Sequence, residues 1–237
     1  CFDMNVYNRG YGKTPFIETL KKEGKTIFYN IGEFVNRKNL SALLRAYYTE
    51  FTKNDPVHLI LKSNLSGSNE QQLASIFSRK DMEIIHGLNI GNDNMPEVTF
   101  LPMYMDENEL YSLHESCDIY VSSSYGESWD IPCFDAMAFG KTPIYPEHTG
   151  YFNYMCTDVG YPVKSFSLPC FGLVDADPEL YNSRFNFEYV DINDLRRQMR
   201  YAFEDRKVRE TKSELGIEKA NMFSYEVIGP ILRKALE

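Results

Sequence analysis

The fold of this chain is decided by the stretch Tyr125-Gly-Glu-Ser-Trp-Asp-Ile-Pro-Cys-Phe-Asp-Ala-Met-Ala-Phe-Gly-Lys-Thr-Pro-Ile144. Pro132 suits the first turn of a helix, where its missing N–H costs nothing, and Gly140 suits the left-handed residue that ends one. Apolar runs of strand type flank this helix, Asp118–Ser122 before it and Thr142–Tyr145 after it. The stretch therefore predicts a strand, a loop, a short helix and a second strand.

Two carboxylates flank the predicted helix start, Glu127 in the loop and Asp135 in the first turn. A helix N-terminus offers unpaired N–H groups and a partial positive charge, and both favour a phosphate group. On spacing alone, a solvated Glu127 and an Asp135 that caps the helix are the more usual explanation of two such acids. The stretch by itself therefore leaves both a phosphate-binding loop and an ordinary helix start open.

Strands and helices alternate over the preceding part of the chain. Apolar runs predict strands at Thr26–Ile31, Val57–Lys62 and Val98–Leu101, and a further short strand at Met82–Ile85. The alternation predicts an α/β fold with a doubly wound, mostly parallel sheet, whose ligand crevice lies beyond the carboxyl ends of the strands. Phe187–Val190 predicts one more strand, and helices follow it to the end of the chain.

Two cations, Arg37 and Lys38, stand between the first strand and the helix that follows it. Cations at a helix start oppose the helix dipole, which costs roughly 0.3–1 kcal/mol each unless an anion binds between them and the N–H groups. Solvated surface cations are the alternative. The loop is therefore a candidate phosphate site that needs a second observation.

Composition excludes several classes of protein. A hydrophobic content of 43% is enough to fill a core, and a net charge of −9 argues against a nucleic-acid surface. No apolar run reaches eighteen residues and no signal pattern opens the chain, so we expect a cytoplasmic protein without a membrane span. Because the five cysteines include no C-x-x-C pair, we expect reduced thiols and no structural zinc. The absence of G-x-G-x-x-G argues against a dinucleotide oxidoreductase.

The central stretch resembles the signature of retaining glycosyltransferase family 4, usually S-x-x-E-G-F-G-x-P-x-x-E-A-M-A-x-G-x-P-V. The family's two acids fall on Glu127 and Asp135, although the second is usually Glu, and Ser128 and Asp130 stand where Gly is usual. The loop after the first strand is similar to the family's G-R-x-x-x-x-K-[NG]. Lys38 and Asn39 match it, but the Arg position is Glu33, so either Arg37 supplies the second cation or the site carries less charge.

The resemblance implies the C-terminal, donor-binding half of a GT-B glycosyltransferase. Residues 1–24 would be a linker from a missing N-terminal domain, and residues 25–237 a Rossmann-like domain with an irregular excursion or hairpin at about 160–186. The reaction would move a hexosyl-type sugar from a nucleoside diphosphate sugar to an acceptor hydroxyl, with retention and without metal or cofactor. The domain alone would be inactive, because its partner domain and the acceptor complete the cleft.

The resemblance also implies a role for each candidate residue: catalysis by Glu127, the donor diphosphate at Arg37 and Lys38, the ribose at Asp135, the donor sugar at the backbone loop of Trp129, Asp130 and Ile131, and the nucleobase at Met103 and Tyr104. Two alternatives stay open. Glu33 and Asp130 make a non-catalytic nucleotide-sugar-binding or scaffolding subunit credible, and the same fold serves nucleotide-sugar epimerases.

Overall fold

The computed structural model describes residues 2–91, 94–171 and 177–237. In chain order the elements are α1 (Pro15–Lys22), β1 (Thr26–Glu33), α2 (Leu40–Glu50), β2 (Val57–Asn64), α3 (Glu70–Leu88), β3 (Glu97–Leu101), α4 (Glu107–Ser116), β4 (Ile119–Tyr120), α5 (Ile131–Ala138), β5 (Ile144–Pro146), β6 (Tyr161–Val163), β7 (Ser165–Pro169), β8 (Asn186–Val190), α6 (Ile192–Glu204), α7 (Arg206–Asn221) and α8 (Tyr225–Leu236). Among the described helices, none is long and apolar enough to cross a membrane.

The central sheet is parallel and doubly wound. Four strands pair in the order β3-β2-β1-β4, and β5 pairs with β6. A parallel bridge between Val121 and Ile144 joins the two sets, so the order across the sheet is 3-2-1-4-5-6. Successive strands are added on one side of β1 as far as β3 and on the other side from β4 to β6. Such sheets bind ligands between β1 and β4, where this order of addition reverses. The predicted fold class is confirmed.

The core lies on both faces of the sheet, because the side chains of a parallel strand alternate between two helix-covered faces. Phe28 belongs to the cluster beneath α2, α3 and α6, whereas Ile27 and Tyr29 belong to the cluster that includes Phe134 of α5. All four of these side chains are fully buried. Burial of each contributes roughly 1.5–3 kcal/mol, which fixes the strand ends that carry the site.

The predicted strand at Met82–Ile85 is wrong, because these residues continue α3. Leu73, Phe77 and Ile84 are buried at spacings of four and seven residues, which is one face of a helix. A capping box at Asn69 starts this helix, and left-handed Asn89 (φ 53°) ends it. A four-residue apolar run does not distinguish a strand from part of a buried helix.

The region 160–186 contains regular structure. Residues Tyr161–Val163 form β6 of the main sheet, and β7 and β8 form an antiparallel hairpin in which Phe166 pairs with Tyr189. Residues 172–176, within the same region, lie outside the described part of the chain. The hairpin is attached to the loop after β4, since the Glu188 N–H donates to the Tyr125 carbonyl at 3.0 Å.

The N-terminal segment, residues 2–14, lies along the domain. Phe2 forms a parallel bridge with Ser224 at the start of α8, and its ring stacks on Phe134 at 4.1 Å. Thr14, at the other end, donates its N–H to Ser116 Oγ at 2.8 Å. That this segment is a linker from another domain stays a prediction.

Candidate functional site

Two loops meet at the carboxyl ends of β1 and β4. The first forms a single 3₁₀ turn, Asn36–Lys38, that ends at left-handed Asn39 (φ 50°). The second begins after β4, and its Tyr125 N–H donates to the Arg37 carbonyl at 2.9 Å. The hydroxyl of Ser123 donates to the Asn39 carbonyl at 2.9 Å. These bonds place the two predicted phosphate-binding cations beside the predicted catalytic loop.

Glu127 joins both cations in one ion cluster. Its Oε1 lies 2.8 Å from Arg37 Nη1 and 2.7 Å from Lys38 Nζ, and it accepts a hydrogen bond from Ser124 Oγ at 2.7 Å. Lys38 Nζ also lies 3.3 Å from Asp130 Oδ1. The structure therefore brings together four of the residues that the sequence predicted: two cations and two carboxylates.

The neighbouring groups of the cluster favour the ionised form of Glu127. Burial alone would raise the pKa of Glu127, but Lys38, the Ser124 hydroxyl and Arg37 outweigh burial and lower it. Burial also acts to lower the pKa of Lys38, yet Asp130 and Glu127 raise it overall. For Asp130, burial dominates and raises the pKa. With all four groups ionised, the cluster has no net charge.

Asp130 has an unusual backbone and a fully buried side chain. Its backbone is left-handed (φ 59°, ψ 74°), a conformation that Asp tolerates better than most residues. The carboxylate accepts from the Tyr151 hydroxyl at 2.7 Å, so it has a neutral partner as well as Lys38. The sequence motif predicted a site residue here, but not that its carboxylate would pair with the lysine.

The start of α5 offers fewer free N–H groups than the motif suggested. Pro132 has none, and the Cys133 N–H donates to the Asp130 carbonyl at 3.0 Å. Within the described residues, the N–H groups of Asp130 and Ile131 make no hydrogen bond. Successive free N–H groups beside a left-handed residue are a known anion-binding arrangement. At the start of α5 itself, the backbone part of a phosphate site therefore consists of these two groups.

A glycine in the loop after β5 supports the loop that carries Glu127. The Gly150 N–H donates to the Glu127 carbonyl at 2.9 Å. A Cβ atom on Gly150 would lie 2.2 Å from the Ser128 carbonyl oxygen, so only glycine allows this approach. The neighbouring His148 is buried, and its Nε2 lies 3.1 Å from the Ser124 carbonyl oxygen. Gly150 and His148 therefore both contact the backbone of the loop that carries Glu127 and stabilise its position.

Asp135 is paired with the N-terminal segment. It is 9% exposed and accepts a hydrogen bond from the Tyr7 hydroxyl at 2.7 Å. Burial raises the pKa of Asp135 to about 7, and the Tyr7 hydrogen bond moderates the rise. The ring of Tyr7 packs edge-on against Phe139 at 5.1 Å. A ribose that reached Asp135 would therefore have to share this carboxyl with Tyr7 or displace it.

The other predicted site residues lie apart from the ion cluster's side chains. The Trp129 indole stacks on Tyr154 at 4.9 Å, within the core cluster around α5, and its buried Nε1 has no partner among the described residues. The Ile131 side chain is 58% exposed. After β3, Met103 packs partly against the core and Tyr104 is 81% exposed. Their roles toward a donor stay predictions.

The sequence comparison covers most of the sheet and the ion cluster. Residues 13–166 match the family model described as glycosyl transferases group 1. The chain belongs to this family. A viral protein, "Putative glycosyltransferase ORF313" of Acidianus filamentous virus 1, is 32% identical over 92 residues, which are 39% of this chain and 27% of the viral protein.

Several solved structures share the fold of this group 1 domain. The C-terminal domain of the group 1 protein LpcC from Francisella tularensis superposes with a TM-score of 0.64 at 14% identity, over 94% of this chain and 98% of that domain. Anabaena HepE, solved with UDP and glucose, gives 0.67 at 16% identity, over 99% of this chain and 55% of HepE. Sucrose-phosphate synthase from Thermosynechococcus elongatus gives 0.65 at 18%, over 99% of this chain and 51% of the synthase. The chain thus spans about half of two of these proteins.

One buried cation at the carboxyl end of β2 was missed by sequence reasoning. Lys62 ends the apolar run of β2 and is only 5% exposed. Its Nζ donates to the adjacent Ser63 carbonyl at 3.4 Å, and burial lowers its pKa. The available signal was a lysine directly after the apolar residues Leu59–Leu61 of this group 1 domain.

Proposed function

We propose that this group 1 domain binds the nucleoside diphosphate sugar for a retaining, metal-independent GT-B glycosyltransferase of family 4. The observation that carries the proposal is the cluster of Arg37, Lys38, Glu127 and Asp130 at the β1–β4 switch point. Parallel α/β sheets bind ligands at this point, and paired cations recognise phosphate. Family membership supports the same class of reaction.

The cluster would act by exchanging partners. In transfer, the bond between the anomeric carbon and the diphosphate oxygen breaks, and the acceptor oxygen bonds to the anomeric carbon on the same face. The acceptor hydroxyl proton would pass to the departing diphosphate oxygen. The departing diphosphate gains negative charge, which Arg37, Lys38 and the free N–H groups at the start of α5 would stabilise. Once the diphosphate occupies the cations, Glu127 is released to accept hydrogen bonds from the sugar or to stabilise its cationic centre. Asp130 would retain Lys38.

A UDP-hexose is the first donor to test. The structure of HepE was solved with UDP and glucose and also with UDP-glucose, and its fold covers nearly all of this chain. At 16–17% identity this likeness supports the choice of test ligand rather than the identity of the base. ADP, GDP and dTDP sugars belong in the same screen. Binding raises the melting temperature by mass action, so thermal shift is the suitable assay.

A second domain would complete the enzyme. Helix α8 has no buried residue, and Ile231, Leu232 and Leu236 are 60%, 51% and 87% exposed. An amphipathic helix with an exposed apolar face is typical of an interface. We propose that α8 contacts the N-terminal GT-B domain, which would bind the acceptor. This domain alone would then bind donor weakly and transfer nothing, and its cytoplasmic location stays a prediction.

The test of donor binding uses Lys38→Ala. We expect this change to weaken UDP binding by about ten-fold or more while uridine binding is nearly unchanged, since a cation paired with diphosphate contributes on the order of 1.5–3 kcal/mol. Lys53→Ala is the control, because Lys53 is exposed on a loop outside the cluster. Calorimetry that shows equal losses for UDP and uridine would contradict the assignment.

A non-catalytic binding subunit is the second candidate, since Asp130 cancels part of the charge that catalysis needs. Slow donor hydrolysis by the enzyme with both domains, lost in Glu127→Gln, would support catalysis over binding alone. Retention is tested by NMR of the anomeric proton of the product. A product with a new configuration at another sugar carbon would instead support the epimerase alternative.

A further inference from the structure

Lys62 is a buried cation without a carboxylate partner. It pairs laterally with Ile31 on β1 and Leu101 on β3, and both of these residues belong to the buried core around α5. Among the described residues, no carboxylate lies within ion-pair distance of its ammonium group, whose hydrogen bond to the Ser63 carbonyl is long, at 3.4 Å. The lysine therefore occupies an apolar position at which the fold supplies little compensation.

Burial of an uncompensated charge is costly, and proteins normally pair it or replace it with an apolar side chain. Lys38, a partly buried lysine of the ion cluster, has two carboxylates. An apolar side chain of the same length would fill the Lys62 position at lower cost. The presence of a charge at this buried position is therefore best explained if an anion binds to the ammonium group when the protein binds its ligand.

The sheet places Lys62 at the carboxyl end of β2, one strand from β1, whose following loop carries Arg37 and Lys38. The following residue, Ser63, pairs with Gly32 and donates its hydroxyl to the Gly32 carbonyl at 2.7 Å. The stem of Lys38 lies over Gly32, with its carbon atoms 3.5–3.7 Å from the position of a Cβ there. Lys62 itself pairs with Ile31, the residue before Gly32, so its side chain lies on the α5 face of the sheet, opposite the face on which the Lys38 stem covers Gly32. Adjacent strands are about 4.8 Å apart, so the backbone of Lys62 lies about that distance from β1.

Without Lys62, the ionised side chains of the site carry no net positive charge. Arg37 and Lys38 are balanced by Glu127 and Asp130, so these four side chains alone attract a diphosphate only by exchanging partners. We propose that Lys62 is a third phosphate-binding cation of the donor site, and the one whose charge no carboxylate cancels. This proposal rests on the proposed function. The flexible stem of Lys62 allows its ammonium group to turn toward the ligand when an anion binds.

The test replaces Lys62 with methionine, which keeps an unbranched apolar stem and removes the charge. Because the buried charge is lost, we expect Lys62→Met to raise the melting temperature of the free chain. We expect the same change to weaken UDP binding by about ten-fold and to leave uridine binding nearly unchanged. Lys62→Arg, which keeps the charge, should retain more of the UDP affinity. Lys53→Met, on an exposed loop, should change none of these quantities.

The two expected effects of Lys62→Met, a higher melting temperature and a weaker UDP affinity, have opposite signs. Together they distinguish a ligand-binding role of Lys62 from a purely structural one. A lower melting temperature with equal losses of UDP and uridine would mean that Lys62 only supports the fold, and unchanged UDP affinity would also overturn the proposal. If the wild-type chain binds no nucleoside diphosphate in calorimetry, the proposed function fails and this inference fails with it. If the wild type binds UDP and Lys38→Ala weakens it but Lys62→Met does not, only the inference is wrong.

Discussion

Replacing Asp130 with asparagine is expected to strengthen diphosphate binding. Asparagine keeps the shape of the side chain and tolerates the left-handed backbone at φ 59°. Its amide oxygen can still accept the Tyr151 hydroxyl, which lies 2.7 Å from the carboxylate in the wild type. The change removes one negative charge from the ion cluster and leaves Glu127 in contact with Lys38. The site would then carry a net positive charge.

The magnitude follows from the position of Asp130 behind Lys38. Lys38 Nζ lies 3.3 Å from Asp130 Oδ1. A phosphate oxygen on the opposite side of the ammonium, at about 2.8 Å, would lie at most about 6 Å from that carboxylate. At an effective dielectric constant of about 20, two like charges at this distance repel by about 3 kcal/mol. Partial screening reduces this, so we expect about 1–2 kcal/mol, or roughly ten-fold tighter binding of UDP.

Calorimetric titration with UDP and uridine measures the effect directly. Uridine affinity should stay the same, because the nucleoside carries no charge for Asp130 to repel. Asp158→Asn removes the same charge from an exposed position and controls for the net charge of the protein. The reasoning is refuted if Asp130→Asn weakens both ligands equally, since Asp130 would then serve only to hold the loop.

Three further changes test other parts of the site. Asp135→Asn should raise the free energy of unfolding by about 2–4 kcal/mol at pH 8 and by less at pH 5. Burial raises the pKa of Asp135 to about 7, so the folded wild type loses stability as the pH rises to that value and the buried carboxyl ionises. Asparagine does not ionise and avoids this loss. Thermal unfolding at both pH values measures this. Gly150→Ala should weaken UDP binding, because its Cβ would meet the Ser128 carbonyl at 2.2 Å and move Glu127, whereas Gly126→Ala, with open space around it, should not. EDTA should leave UDP affinity unchanged, as calorimetry would show.

Much of the fold could be predicted because local signals agree with one another. Pro132 and Gly140 bound α5 as expected, with Gly140 at φ 68°. A capping box at the start of α4, in which Asp106 and Glu109 are bonded reciprocally, is another local signal of this kind. The prediction at Met82–Ile85 was wrong because short apolar runs carry no period of their own. Long-range pairing, such as β7 with β8, leaves no local signal beyond alternation.

Residue types at the site could be predicted, but their partners could not. The motif indicated Arg37, Lys38 and Glu127, and the structure brings these three side chains into contact. The Arg37–Glu127 contact joins residues 90 positions apart in the sequence and depends on the pairing of β1 with β4, which no local pattern records. In the same way, Asp135 lies next to the helix start as expected, yet its hydrogen-bond donor, Tyr7, is 128 residues away.

Asp130 shows why the balance of charge was the least predictable property of the site. At a position where glycine is usual, a carboxylate would ordinarily be expected to point into solvent, because burying it costs several kcal/mol. Here the left-handed backbone directs the carboxylate inward, where Lys38 and Tyr151 compensate it. The cations that the motif assigns to phosphate are therefore already occupied in the free protein. Under the proposed function, donor binding would exchange one set of ion pairs for another, and the affinity would depend on the difference between their free energies.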